Sequence, residues 1–363
     1  MRKTIMSFII LLAVTLVFGS VYAIQGPCVT CHTMHNSQDG IPMNFDDSAT
    51  PNGLLLRGSC IGCHGQNTLD NIVTIGSSGI PQVWHTDATD LAGGNFRYVI
   101  TGPANPKGHN VLGLVAQDTT LLNDPPGYLA AYDPASTNFD TGSRLRCAGQ
   151  NGCHGNRDQS DEYVAVRGGH HTSDTMLKFG TISEANQGGG TGGSDITTTG
   201  KSYRFLYNVH GGEVSDWQNT DSTHHNEYKG ATFAARTSQG WTDITTISDL
   251  CAECHGDFHA SGLTGDSGIG TGTPWLRHPT DAIIPGTGEY ASYTTYSITA
   301  PVGRTSIPNA ISGTVTPGTD IVTCLSCHSA HATNYADILR WDYTNTLSAG
   351  VGCLACHTQK SAY

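Results

Sequence analysis

The chain has 363 residues, a formal net charge of −12, only 13% charged residues and 45 glycines. Its acidity argues against nucleic acid as a partner, because phosphates would repel it. Apolar residues make up 37%, a small share for a domain that must fill its own interior with side chains, so something else is expected to fill it.

Taken in chain order, the first feature is Arg2 and Lys3 followed by an apolar run from Met6 to Phe18 and small residues ending Val21-Tyr22-Ala23. This predicts a secretory signal peptide over residues 1–23, cleaved after Ala23. The run is too short for a membrane span, and no later segment is apolar enough to cross a bilayer. Cleavage would remove two bases and no acid, taking the charge to −14. The first cysteine is Cys28, away from the cleavage point, so a lipid anchor is not expected. Residues 24–363 are expected to form one exported domain with no internal linker.

All twelve cysteines fall into pairs that end in histidine. Five pairs share one spacing: Cys28-x-x-Cys31-His32, Cys60-x-x-Cys63-His64, Cys251-x-x-Cys254-His255, Cys324-x-x-Cys327-His328 and Cys353-x-x-Cys356-His357. C-x-x-C-H is the c-type haem attachment motif. Two thiols add to the two vinyl groups on one porphyrin edge, and the adjacent histidine turns under the ring to give its imidazole to iron. Structural zinc would need four ligands gathered from two motifs and no histidine directly after each second cysteine. Disulfides suit an exported protein, but they also place no demand on that histidine.

The third pair is stretched: "RCAGQNGCHG" separates Cys147 from Cys153-His154 by five residues. A disulfide beside an accidental histidine is the rival reading. The intervening Ala-Gly-Gln-Asn-Gly is small and turn-prone, so it can bulge while both thiols still reach one ring. A sixth haem is therefore expected.

The chain has seventeen histidines. His32, His64, His154, His255, His328 and His357 are the expected proximal ligands. Beyond the signal peptide only Met34, Met43 and Met176 remain, too few to cap six irons. Bis-histidine ligation follows, with low potentials and no open coordination position, which suits electron transfer better than catalysis. Among the remaining histidines, His35, His259 and His331 lie too close to a proximal histidine to cap the same haem, but are placed to reach another. His85, His109 and His278 sit on turn-rich connectors. From the doublets His170-His171 and His224-His225, one ligand each is expected, His171 and His225. His210 reads as a turn residue.

The fold class expected is a multihaem cytochrome c: mostly coil and turns, with short helices and few short strands, wrapped around a chain of haems. "SDLCAECHGDFH" and "TNYADILRW" read as short helices, "RYVITG" and "YTTYSITAPV" as short strands. Segments such as 187–201 and 267–275 are glycine- and threonine-rich loops. No repeat beyond the attachment motif is evident, and the domain is not expected to fold without its haems.

Several strings go further than haem count. "CVTCHTMHNSQDG", "LLLRGSCIGCHG", "KGHNV", "CAECHGDFH", "LRHPT", "CLSCHSAHA" and a final C-x-x-C-H occur in this order. Together they resemble the OmcS-type hexahaem cytochromes, which polymerise into extracellular conductive filaments in metal-reducing bacteria. The resemblance covers the anchors at both ends and is thin in the middle, and the stretched third site departs from the family's spacing. It implies a head-to-tail homopolymer in which His35 ligates the haem of Cys324, Cys327 and His328 in a neighbouring subunit. It further implies a secreted location and electron exchange with other cytochromes and outside acceptors. A discrete periplasmic or cell-surface shuttle with the same haems is the alternative. A multihaem reductase is less favoured, since it needs an iron with an open position.

Overall fold

A chain with this much glycine and so few charged helix formers builds short elements joined by turns. The computed structural model describes residues 26–100, 106–118, 125–128, 144–171, 202–214, 216–232, 245–258, 278–343 and 351–360. The signal segment, the loops 187–201 and 267–275, and the candidate ligand His259 lie outside the described residues.

The α-helices are α1 (Cys60–His64), α2 (Arg97–Ile100), α3 (Glu162–Ala165), α4 (Ile247–Ala252) and α5 (Cys353–Cys356). The strands are β1 (Ser37–Gln38), β2 (Ile41–Pro42), β3 (Ile72–Ile75), β4 (Ser78–Pro81), β5 (Arg146–Ala148), β6 (Gly152–His154), β7 (Gly211–Gly212), β8 (Glu227–Lys229), β9 (Ala282–Ile283), β10 (Gly303–Arg304) and β11 (Ile321–Val322). None exceeds the six residues of α4. This is the coil-rich fold with short elements that the composition predicts. Among the described residues, no helix is long and apolar enough to cross a membrane.

One five-stranded sheet runs in the order β7-β8-β10-β11-β9. Its β8–β10 pair is parallel and the other pairs are antiparallel. β1–β2 and β3–β4 are antiparallel pairs, whereas β5–β6 is parallel.

The apolar interior is split into three small clusters. One gathers Tyr203, Leu206, Tyr207, Val209, Tyr228, Ile247, Leu250 and Leu325. A second holds Phe96, Val99, Val111, Leu114 and Ala332. A third holds Ile284, Tyr293, Tyr296, Val302 and Val315.

Three local expectations differ from the structure. Arg97–Ile100 is a helical turn, not a strand: Arg97 N–H donates to the Asn95 side chain at 3.0 Å, and Phe96 and Val99, three apart, bury one face. In "YTTYSITAPV" only Thr295 makes a bridge, to Thr314, because Tyr293 and Tyr296 turn inward together. "TNYADILRW" holds a three-residue turn, Ala336–Ile338, whose Asp337 and Ile338 are left-handed, at φ 57° each. "SDLCAECHGDFH" is helical in two pieces, α4 and a 3-10 turn at Gly256–Phe258.

The sheet is pinned by a buried cation. Arg304 donates to Glu227 at 2.6 Å, to Asp320 at 2.8 Å, and to the carbonyls of Ser312 at 3.1 Å and Thr314 at 2.7 Å. Removing one partner of such a cluster leaves buried charge uncompensated. Arg304→Met is expected to cost about 3–5 kcal/mol. Adding Glu227→Gln and Asp320→Asn should recover part of that loss. Chemical denaturation of the three proteins checks this.

Candidate haem sites

The C-x-x-C-H segments take three local forms. Cys60–His64 forms α1, capped by Ser59, whose side chain accepts from Gly62 N at 3.0 Å. Cys251 lies in the last turn of α4, which Thr246 caps at its start, and α5 spans Cys353–Cys356. Cys28–Thr30 and Cys324–Ser326 are 3-10 turns. In all these a single turn sets two cysteines three apart on one face, with the histidine following directly. His32, His255, His328 and His357 close the turn by donating backbone N–H to the first cysteine's carbonyl at 2.8–3.0 Å.

The stretched site reaches the same end by another route. β5 and β6 pair in parallel, with Arg146 opposite Gly152 and Ala148 opposite His154. Cys147 and Cys153 therefore sit side by side, one strand spacing of about 4.8 Å apart. The loop between them closes on itself: Gly152 N–H donates to Gly149 O at 2.9 Å and Arg146 N–H to Asn151 O at 2.8 Å. A side chain at Gly152 would meet the Ala148 backbone nitrogen at 2.5 Å. No sulfur–sulfur bond joins Cys147 to Cys153 in the structure.

The imidazoles carry the clearest geometry. Five proximal histidines each face another histidine. The ring centres are 6.1 Å apart for His32–His171 and His64–His170, 6.2 Å for His109–His255 and His278–His357, and 6.3 Å for His154–His331. An iron ligated on both faces, with metal–nitrogen bonds of about 2.0 Å, holds two imidazole centres about 6.2 Å apart. One distance recurring in five pairs of different sequence fits a haem in each. A haem bound there would supply a one-electron iron couple.

His170 is the candidate ligand that sequence reasoning missed. Adjacent side chains diverge. The expectation of a single ligand from this doublet overlooked that divergence can equally point His171 towards His32 and His170 towards His64. The signal was there: the doublet is the supply of in-chain partners for two motifs. His109, His278 and His331 each face a proximal histidine. His85 and His225 do not. His85 is fully buried, with Nε2 3.1 Å from the Asn95 amide. His225 stacks on Tyr296 at 3.5 Å, with its ring nitrogens on the carbonyls of Asn226 and Ser312. His224 pairs with Asp216 at 2.8 Å.

Among the described residues, His328 alone of the proximal set faces no imidazole, and His35 is exposed near the other end of the chain.

Burial holds His64, His109, His154, His170, His255 and His331 below the ordinary imidazole range, in the neutral form that metal ligation requires. Desolvation, aided by neighbouring histidines, pushes His109 and His170 down to about 4 and His331 to about 3. The neighbours also order the sites. His170 lies within electrostatic reach of His64, His171 and His154; His331 of His154 and His109; His109 of His255 and His328. The thiols repeat that order. Burial, Cys31 and Cys60 raise Cys63 to about 11. Cys60 and Cys147 share a hydrogen bond that holds Cys60 down and pushes Cys147 up. Cys251 is pushed up by its bond to Cys324, by burial and, more weakly, by Cys153. Burial, Cys356 and Cys353 raise Cys327 to about 12. Each site thus hydrogen-bonds, or lies within electrostatic reach of, the next in sequence order, from the first to the sixth.

Among known proteins, residues 304–358 match the family described as cytochrome c554 and c-prime. The C-type cytochrome OmcS of Geobacter sulfurreducens (strain ATCC 51573 / DSM 12127 / PCA) is 26% identical over 87% of this chain and 78% of its own length. Two solved structures are also similar. The Outer Membrane Cytochrome S filament of the same organism has a TM-score of 0.45 at 20% identity, covering 87% of this chain and 84% of that one. The cryo-EM structure of the OmcS nanowires has a TM-score of 0.48 at 22% identity, covering 88% and 84%. In sequence, the chain resembles the OmcS-type multihaem c-type cytochromes over most of its length.

Proposed function

We propose that the protein is an exported hexahaem c-type cytochrome that conducts electrons along a row of bis-histidine haems and polymerises head to tail into an extracellular filament. The observation that carries this reading is the set of five imidazole pairs at 6.1–6.3 Å. Each contains one C-x-x-C-H histidine, and consecutive sites are neighbours. Cysteines tether, imidazoles cap both faces, and the backbone keeps adjacent sites in contact. With every iron capped, none of these residues is left for bond-making chemistry, so the reading is an electron-transfer protein and not an enzyme.

Polymer growth rests on the sixth pair. His328 needs a distal imidazole, and exposed His35 faces no other imidazole among the described residues. A bond from His35 of one copy to the haem of Cys324 and Cys327 in the next is heterologous. Such contacts extend without closing and give filaments. The location that follows is outside the cell, on a filament or the outer surface. Partners would be further copies of this chain, other cytochromes and outside electron acceptors, with no nucleic acid and no membrane span. Residues 24–363 act as one domain in this reading.

His35→Ala is expected to abolish filaments in electron micrographs of cell-surface preparations while leaving six haems per chain by mass. One haem should turn high-spin and bind carbon monoxide when reduced. Unchanged filaments would overturn the role of His35. Native protein found only as discrete particles would favour a shuttle.

A further inference from the structure

Three of the six proximal imidazoles are held by the same backbone device, built from unlike sequences. His32 Nδ1 lies 3.1 Å from Leu54 O, and Thr33 N–H donates to Leu55 O at 2.8 Å. His154 Nδ1 lies 2.9 Å from Arg204 O, and Gly155 N–H donates to Phe205 O at 2.7 Å. His328 Nδ1 lies 2.8 Å from Asp337 O, and Ser329 N–H donates to Ile338 O at 3.0 Å. In each case the ring and the next backbone N–H meet two consecutive carbonyls. The accepting turns are Gly53–Leu55, Tyr203–Phe205 and Ala336–Ile338. Each is closed by the N–H of a following leucine (Leu56, Leu206, Leu339) bonded back to the turn's first carbonyl at 2.9–3.2 Å.

Both accepting residues in each turn are left-handed: Leu54 and Leu55 at φ 56° and 54°, Arg204 and Phe205 at 51° and 57°, Asp337 and Ile338 at 57° each. None is glycine, although this conformation disfavours any side chain and β-branched Ile338 most of all. Strain of this kind persists where a site over-determines the backbone. The clamped histidines belong to the first, third and fifth sites. The second and fourth meet single carbonyls of Pro81 and Pro126, at 2.9 and 2.6 Å. The sixth meets the Glu289 carboxylate at 3.3 Å.

We infer that these three left-handed turns are positioning clamps, which fix the tautomer and ring plane of the odd-numbered proximal ligands and thereby hold the potentials of those sites down. A carbonyl partner requires Nδ1 to carry the proton and leaves Nε2 for the metal. Donation from Nδ1 makes Nε2 more basic and so stabilises the oxidised ion. The second bond, one residue on, keeps the ring from turning about its stem. This inference rests on the haem reading above.

Leu54 is the place to test it, because its side chain is 52% exposed and only its backbone is used. Proline cannot take a positive φ, and glycine can. Leu54→Pro and Leu54→Gly would be purified as holoproteins. Haem content would be read by mass, spin state by electron paramagnetic resonance, and potentials by spectroelectrochemical titration. The glycine variant should match the native protein. The proline variant should keep six haems, with one altered low-spin signal and a tenfold shift of one haem's reduction equilibrium towards the reduced form, about 59 mV. Native potentials in a six-haem proline variant would overturn the clamp. If that variant does not assemble, Leu54→Val decides: one potential must lie above its value in the native and glycine proteins, and an unchanged potential overturns the inference. Fewer than six haems in the native protein would instead overturn the haem reading itself.

Discussion

Made without haem attachment, the chain is expected to stay unfolded. Circular dichroism should show little regular structure, and limited proteolysis should digest the chain throughout. The reason lies in what the interior contains. Its apolar residues are split into three small clusters, and no helix in the described residues exceeds six residues. Elements this short are marginal alone. Between the clusters stand imidazole pairs about 6 Å apart, too far for ring-on-ring packing as close as the 3.5 Å of His225 on Tyr296. Burial of imidazoles such as His64, His109 and His331 and of thiols such as Cys63, Cys327 and Cys356 costs solvation that ligation and thioether formation would repay. Folding and haem attachment are therefore one transition, as in small metal-dependent domains. A cooperative melting transition in the haem-free chain would contradict this.

Gly94→Ala is expected to damage the third site more than any other single methyl addition near it. Residues 331 and 332 thread between two glycine-lined segments. His331 N–H donates to Gly93 O at 2.7 Å, Asn95 N–H to Ala332 O at 2.9 Å, and His109 N–H to His331 O at 3.0 Å. Gly94 is at φ 90°, and a methyl there would lie 2.1 Å from Ala332 O. Backbone meets methyl, so no rotamer change relieves the contact. His331, the partner of His154, must move with its neighbour. The expected cost is about 2–5 kcal/mol, with one haem in six becoming high-spin. Gly168→Ala separates conformational strain from collision. Gly168 is at φ 81° with nothing within 4 Å of the added methyl, so it should cost only about 1 kcal/mol and leave every haem low-spin. Denaturant unfolding and electron paramagnetic resonance on both variants check the pair.

Legibility of the site followed the range of each interaction. The candidate attachment cysteines and proximal histidines were nameable because attachment chemistry is local: one turn carries both thiols and the imidazole. Even the stretched third site kept the order Cys, Cys, His, and the loop between its thiols was readable as a bulge. Its parallel pairing was not, because residues 146–148 and 152–154 recognise each other only once the loop has closed. Distal partners were harder. His109 reaches His255 and His331 reaches His154 across more than a hundred residues, and no spacing rule links them. His85 and His225 looked like equally good connector histidines. Packing against Asn95 and Tyr296 distinguishes them.

The amino-acid sequence by itself determined the cofactor class, the expected number of attachment sites, the expectation of bis-histidine ligation and a fold of short elements. Each of these depends on residue type and near-neighbour spacing. The tertiary structure alone decided which imidazole faces which, and that consecutive sites lie within electrostatic reach of one another in chain order. It alone also revealed that alternate proximal histidines rest on left-handed turns whose only shared residue is the closing leucine. Those features arise from backbone conformation and contacts between distant segments, which many different side chains can produce.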